Sequence, residues 1–395
     1  MGKMKKIRSN VWKLYLVRAL SSFTLVMPII VLFFKENGLS MKQVFLLQSI
    51  FSLVALSLEV PTGYFADRVG RKKSIVIGGI VATLGFLVYS LAYGFWGFLL
   101  AEILLGIGIS FISGSDSALL YDTLLEMQKE GEYKKIEGKK LSMGMFSEGI
   151  SSILGGFLAL VSLRFPFYWD VVITFMVIPV ALTLFEVKRY KQEEKKESSI
   201  GAMLKLIKYS LHDHAEVKWL IIYSALVGAS TLTMVWFIQI YWMATKVPLE
   251  LFGISWATLM FAAAFFAWNA HHVEKVLGRK NSLILLIVLP ALGYFLLSSF
   301  WFVWSGIFIL LFYVTRGMNN PVLCDYINKL VSSDIRATVL SVKNLAGRLI
   351  FSIVGPFAGW ISDAFSLKAA LMSAGATFLF LGLIALIFMK KHKAL

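Results

Sequence analysis

Four charged side chains interrupt long apolar stretches of this sequence at comparable depths. Arg18, Glu59, Asp116 and Glu148 each lie about six or seven residues from the same end of an apolar run, which is about 9–10 Å along a helix. A charge in mid-bilayer costs about 2.5–3.5 kcal/mol on insertion scales, so it needs a partner or a water-filled cavity. Three carboxylates with one arginine leave an unmatched acid, and both desolvation and like charge favour its protonation. The four residues predict either a proton-coupling site or an ion-pair network that only joins helix ends.

Two more arginines lie near the middle of later apolar runs. Arg316 and Arg348 have no acid at their own depth in that half of the chain, because Asp325 is about 13 Å further along the helix. They could bind an anionic substrate through charge-assisted hydrogen bonds. Alternatively, they pair with acids across a cavity or with helix carbonyls. Trp236 and Phe265 are aromatic candidates for the substrate site, although aromatic residues at membrane surfaces are commoner.

The elements that carry these residues are membrane spans. The chain has 395 residues, of which 58% are hydrophobic and 16% are charged, too apolar for a soluble protein. Runs of about 20 apolar residues predict an all-α membrane protein with twelve transmembrane helices in two sets of six. These runs lie at 12–34, 42–65, 74–92, 97–121, 141–163, 167–185, 218–242, 251–270, 282–299, 302–326, 338–361 and 369–389.

Charge distribution predicts the orientation. With both termini inside, the inner segments hold 31 of the 39 lysines and arginines and the outer loops hold 5. This asymmetry follows the positive-inside rule and predicts a cell (inner) membrane protein with cytoplasmic termini. The net charge of +16 is therefore a topology signal, and no nucleic-acid partner is expected. Cys324 is the single cysteine, so no intrachain disulfide can form.

The domain organisation follows from the one long polar interval. We expect an N-terminal half at 1–185, a cytoplasmic linker at 186–217 and a C-terminal half at 218–395. Apolar residues at helical spacing within 200–211 predict a linker helix on the inner membrane surface. The halves repeat each other, since residues 69–74 (VGRKKS) align with residues 277–282 (LGRKNS). Parallel six-helix repeats are typical of transporters.

The turn after the second run carries the pattern G-x-x-x-D-R-x-G-R-K. Gly63 could let two helices approach closely, and Gly70 allows a positive φ in the turn. The pattern resembles the motif between helices 2 and 3 of the major facilitator superfamily (MFS), which implies the MFS fold. The resemblance also implies that Asp67 caps the inner end of helix 11 and that Arg71 pairs with an acid ending helix 4, here Asp122. The gating motif then comprises Gly63, Asp67, Arg68, Gly70, Arg71, Lys72 and Asp122.

Two further resemblances bear on activity. Glu102-x-x-x-Gly106-x-Gly108 is similar to the superfamily's helix-4 motif, with Glu102 in place of the arginine implicated in proton movement. The extended pattern E-x-P-x5-D-x3-R-K from Glu59 resembles the helix-2 signature of tetracycline efflux proteins. The helix-5 signature of antiporters is altered, with Ser151-Ser152 in place of Gly-Pro. The proton-coupling candidates are Arg18, Glu59, Glu102, Asp116 and Glu148.

These patterns favour proton-coupled drug efflux by alternating access. One alternative is an uptake symporter for an organic anion or nutrient, with Arg316 and Arg348 as the binding groups. Another is a membrane scaffold or sensor without turnover, although a scaffold needs neither intramembrane acids nor a gating motif. No enzyme motif, metal-ligand spacing or cofactor motif occurs in the sequence. The expected partners are a small organic substrate, protons and the lipid bilayer, with the chain as a monomer.

Overall fold

The computed structural model of the chain describes residues 2–187, 214–331 and 333–392. Within these ranges the chain is helical and contains no strand. The linker helix expected within 200–211 lies outside the described residues. The helices are α1 (Gly2–Ser22), α2 (Ile30–Glu36), α3 (Met41–Val69), α4 (Arg71–Leu91), α5 (Gly94–Glu126), α6 (Tyr133–Leu158), α7 (Phe165–Phe175), α8 (Val177–Leu182), α9 (Ala215–Ala244), α10 (Glu250–Ser299), α11 (Leu310–Leu330), α12 (Ser333–Ala364) and α13 (Leu367–Lys391), with 3-10 turns at Glu130–Glu132 and Val303–Ile309.

The helices account for all twelve predicted spans. Nine helical segments of the described ranges are long and apolar enough to cross a membrane. One of them, α10, has 50 residues and would be about 75 Å long, more than twice the thickness of the hydrocarbon layer. Gly278, with a φ of 73°, interrupts α10, so this segment contains two spans. The first span is divided between α1 and α2, and the fifth is α6. The all-α prediction is confirmed.

Contacts divide the chain into two compact units. Unit 1 comprises Met1–Leu39, Ile50–Lys191 and Pro248–Ala257, and unit 2 comprises Ser40–Ser49, Gln192–Val247 and Thr258–Leu395. The first residues of α3 therefore belong to unit 2, and the first residues of α10 belong to unit 1. Each unit has its own apolar core. Core residues include Leu14, Ile75, Leu119 and Val177 in unit 1, and Leu220, Leu286, Leu323 and Val339 in unit 2.

The interruption between α1 and α2 is held by a buried acid. Asp170 of α7 is 1% exposed, and its carboxylate accepts hydrogen bonds from the backbone N–H groups of Leu25 at 2.9 Å and Val26 at 3.2 Å. In a membrane, backbone groups freed by a helix break must find partners within the protein. Asp170 supplies these partners and so fixes the break.

Candidate functional site

Gly70 alone joins α3 to α4. The sequence predicts that the second span ends near residue 65, but α3 continues to Val69, so Asp67 and Arg68 lie on its last turn. Gly70 has a φ of 128°, a conformation that favours glycine. The Glu186 carboxylate accepts the N–H groups of Arg71 at 3.0 Å and Lys72 at 2.9 Å. It thereby caps the N-terminus of α4, where negative charge is stabilising.

Arg71 ties α4 to the end of α5. Its guanidinium donates to the Asp122 carboxylate and to the Ala118 carbonyl oxygen, and Asp67 lies 3.7 Å away. The expected contact between Arg71 and Asp122 is therefore present. Asp67 has a side chain that is 66% exposed, and its capping of the eleventh predicted span, which is α12, stays a prediction.

The motif residues Arg68 and Gly63 contribute less to joining the helices. Arg68 stacks on the ring of Tyr64, with 4.8 Å from its guanidinium carbon to the ring centroid. A Cβ added to Gly63 would meet no described atom within 4 Å. The close helix approach expected at Gly63 is therefore absent among the described residues.

Asp116 lies in a buried network between α5 and α6. The Lys140 ammonium is 3.0 Å from the Asp116 carboxylate and 3.0 Å from the Glu137 carboxylate, and it donates to Ser117 Oγ at 2.9 Å. Asp116 is 3% exposed and Lys140 is 1% exposed. One ammonium group is thus shared by two carboxylates on different helices.

Sequence reasoning missed Lys140 and Glu137. The fifth span was predicted to begin at 141, so both residues seemed to lie in a charged loop. α6 in fact begins at Tyr133, and the i, i+3 spacing of Glu137 and Lys140 places them on one helical face. That spacing is the signal that could have found them.

The other members of the predicted charged layer are spread out. Arg18 lies close enough to Asp116 to interact with it electrostatically, and its side chain packs against Gly144 of α6. Glu148 is half-buried and has interactions of its own. Glu59 is exposed. The structure therefore brings Asp116 and Arg18 near each other, while Lys140 is the ion-pair partner of Asp116.

Glu102 is a buried residue on α5. It is 3% exposed, and its carboxylate accepts a 2.6 Å hydrogen bond from the Tyr89 hydroxyl of α4. The second glycine of the motif, Gly108, leaves no room for a side chain, because an added Cβ would lie 2.8 Å from the backbone nitrogen of Ala82. This part of the motif lets α4 and α5 pack closely.

The substrate-site candidates of the C-terminal half differ in exposure. Arg316 is exposed on α11, whereas Arg348 of α12 is half-buried and already has an interaction within the structure. Trp236 is 7% exposed and Phe265 is 62% exposed. A buried cation that the sequence analysis did not single out, Lys343, donates from α12 to the Asn320 side-chain oxygen at 2.7 Å.

A carboxylate at the end of α12 binds the start of α3. Asp363 accepts the N–H groups of Met41 at 2.8 Å and Lys42 at 2.7 Å, all within unit 2. Gly359 allows this approach, since an added Cβ would lie 2.7 Å from the Met41 carbonyl oxygen. Asp363 also escaped the sequence analysis, because an acid at a helix end next to a loop looks like a solvated surface residue.

A comparable close approach occurs within unit 1. A Cβ added to Gly156 of α6 would lie 2.8 Å from the backbone nitrogen of Gly253, near the start of α10. Segments from the two halves of the sequence therefore meet at two crossings, α3 with α12 and α6 with α10.

Comparisons with known proteins place these features in a family. The sequence model of the Major Facilitator Superfamily matches residues 14–353. The uncharacterized MFS-type transporter YxaM of Bacillus subtilis is 25% identical over 351 residues, covering 87% of this chain and 86% of YxaM. The class H tetracycline resistance protein of Pasteurella multocida is 21% identical over 347 residues, covering 84% and 83% of the two chains. The crystal structure of a mutant of the nucleoside transporter NupG superimposes with a TM-score of 0.82 at 14% identity, covering 98% of this chain and 99% of NupG.

Proposed function

Because the chain belongs to the Major Facilitator Superfamily, and is therefore a multi-pass membrane transporter of small molecules and not an enzyme, we propose that it exports an organic compound in exchange for protons. The observation that carries this proposal is the buried network of Asp116, Glu137 and Lys140. Ionisable side chains such as Asp116 and Lys140 are costly to bury within a membrane protein, and such groups mark proton or substrate pathways.

The network suggests how a proton could act. Asp116 lies on α5, whereas Glu137 and Lys140 both lie on α6. A proton bound to Asp116 removes its negative charge and breaks its ion pair with Lys140. Lys140 then stays with Glu137 on its own helix, and the α5–α6 contact weakens. Protonation is thereby linked to a movement between two helices of unit 1.

Two sets of end contacts would control alternating access. We propose that the protein lies in the inner membrane with both termini in the cytoplasm. In that orientation α3 begins on the outer side. Asp363 then holds the outer end of α3 against α12 and favours closure on that side. Asp67, Arg71 and Asp122 then lie on the cytoplasmic side. In the state that is closed on the cytoplasmic side, Asp67 would cap α12. A carrier needs such competing contacts, because transport requires two states of similar free energy.

Drug export is favoured by the relatives. The protein from Pasteurella multocida is named a tetracycline resistance protein, and the Glu59-to-Lys72 pattern resembles tetracycline efflux proteins. A second candidate is transport of an organic anion, which the exposed Arg316 and the buried Lys343 favour. The chain is expected to act as a monomer in the lipid bilayer.

The test is substrate-dependent proton movement in proteoliposomes. Purified protein is reconstituted, a pH gradient is imposed, and the internal pH is followed after adding tetracycline, norfloxacin or benzoate. Export by antiport predicts that at least one compound dissipates the gradient in liposomes with protein and not in empty liposomes. A compound that is transported without any proton movement would contradict the coupling.

A further inference from the structure

One face of α11 carries polar side chains at the depth of the hydrocarbon layer. Arg316 and Asn320 are exposed and lie one helical turn apart. The opposite face, with Met318 and Val322, is buried in the core of unit 2. A guanidinium and a carboxamide that face lipid would lose their hydrogen bonds to water. We therefore expect the exposed face of α11 to border a water-filled space.

Lys343 of α12 reaches this face from the side. Its ammonium lies 2.7 Å from Asn320 Oδ1 and 3.1 Å from Cys324 Sγ, and Lys343 is 6% exposed. An ammonium group can only donate, so the side-chain oxygen of Asn320 must be the atom that faces Lys343. The NH₂ group of Asn320 is then turned away from Lys343. The third N–H of Lys343 also has no acceptor among the described residues.

The positive charge of this face has no counter-charge in the described part of unit 2. No described carboxylate forms an ion pair within 4.0 Å of Arg316 or Lys343. Asp325 pairs instead with Lys329 at 2.6 Å, and Glu274 accepts from the Tyr326 hydroxyl at 2.7 Å. Of the other described acids of unit 2, Asp363 binds the start of α3 and Glu216 lies in the first turn of α9. Lys343 is buried beside neutral acceptors only, and a buried charge without a counter-charge is destabilising, so we expect this face to bind a mobile anion.

The groups on this face that are available to a ligand are all hydrogen-bond donors. Arg316 offers a planar fork of N–H donors, Asn320 offers an NH₂ group, and Lys343 offers one ammonium hydrogen. The complement of a donor-only, cationic face is an acceptor-only, anionic group. A carboxylate meets both conditions and binds guanidinium groups in a bidentate manner.

We propose that Arg316, Asn320 and Lys343 bind the carboxylate of an organic anion that this transporter carries. The inference rests on the proposed transport function and specifies the class of its substrate. Arg316 is the exposed group that the anion meets first. Lys343, held by Asn320 and Cys324, supplies the second charge. An amide analogue of the same shape lacks the charge and presents two N–H donors to a face of donors, so it should bind poorly.

The experiment compares carboxylates with their primary amides. Binding to the detergent-purified protein is measured by isothermal titration for benzoate, indole-3-acetate, phenylacetate and hexanoate, each beside its amide. At least one acid should bind tenfold or more tightly than its amide, because hydrogen bonds to charged groups contribute more than neutral ones. Arg316→Gln and Lys343→Gln should each remove that preference. Lys329→Gln, on the same helix but paired with Asp325, should keep it.

Each outcome decides the proposal. If no acid is preferred to its amide, or if Arg316→Gln and Lys343→Gln keep the full preference, the carboxylate site is wrong. If Lys343→Gln fails to fold, the exposed Arg316→Gln variant still gives the answer. Failure of the transport proposal is seen separately, as a protein that binds the preferred acid yet moves neither that acid nor protons in liposomes.

Discussion

Replacing Asp363 by asparagine should open the contact between the start of α3 and the end of α12. The carboxylate accepts two N–H groups at the first turn of α3, at 2.8 and 2.7 Å. A negative charge at a helix N-terminus contributes about 0.3–1 kcal/mol when exposed and up to about 2 kcal/mol when partly buried. Asp363 is exposed, so we take about 1 kcal/mol as the loss. That loss lowers the ratio of closed to open molecules about fivefold.

The populations can be measured by electron paramagnetic resonance. Nitroxides attached to genetically encoded ketone residues at Leu46 and Phe365, both in unit 2, report the distance between the start of α3 and the end of α12. In Asp363→Asn the share of the longer distance should rise. Asp325→Asn is the matched control, because Asp325 is an exposed acid whose partner, Lys329, lies on its own helix.

A second pair of variants tests the same contact through the backbone of α3. Lys42→Pro removes the backbone N–H that Asp363 accepts, at a first-turn position where proline is tolerated. Lys42→Ala keeps that N–H. The proline variant should shift the distances in the same direction as Asp363→Asn, and the alanine variant should not. Unchanged distances in both Asp363→Asn and Lys42→Pro would refute the reasoning.

Three further predictions concern unit 1. Lys140→Met should destabilise the protein by about 3–5 kcal/mol, because it takes the ammonium partner from the buried Asp116 and the half-buried Glu137. Thermal unfolding in detergent would detect the loss, and an unchanged unfolding temperature would contradict the burial argument. Gly70→Ala should cost about 1–3 kcal/mol, since alanine rarely adopts a φ of 128°, and unfolding measurements with Gly138→Ala as the control test this. Arg71→Lys should slow turnover without weakening substrate binding, because lysine cannot bind the Asp122 carboxylate and the Ala118 carbonyl through one planar group. Transport rates and binding affinities are measured together, and an unchanged transport rate would refute this prediction.

Much of the fold could be predicted from hydrophobic runs. Every predicted span has its helix, because a helix long enough to cross a bilayer needs about 20 apolar residues and this length is visible in the sequence. The ends of the helices could not be predicted as well. α3 and α6 extend into charged sequence, since a membrane helix continues into the polar interface as long as its backbone hydrogen bonds continue. Because the extension of α6 was not predicted, Lys140 and Glu137 were assigned to a loop.

The candidate site could be predicted only where its partners follow a known motif. The contact of Arg71 with Asp122 could be expected from the resemblance, because both residues occupy motif positions. The pairing of Asp116 with Lys140 could not, since depth along a helix says nothing of the direction in which a side chain points. The role of Asp363 depends on two segments separated by more than 300 residues, a proximity that hydrophobic periodicity does not encode.

The most direct test of the account is proton-driven transport by Asp116→Asn. The compound that wild type moves fastest in proteoliposomes is used, with an imposed pH gradient and with Glu132→Gln as the control, because Glu132 forms an exposed pair with Lys129. The account predicts that Asp116→Asn folds and binds the compound but neither moves protons nor accumulates the compound against its gradient, while Glu132→Gln behaves as wild type. Normal pH-driven accumulation by Asp116→Asn would contradict the central claim that the buried network couples protons to transport.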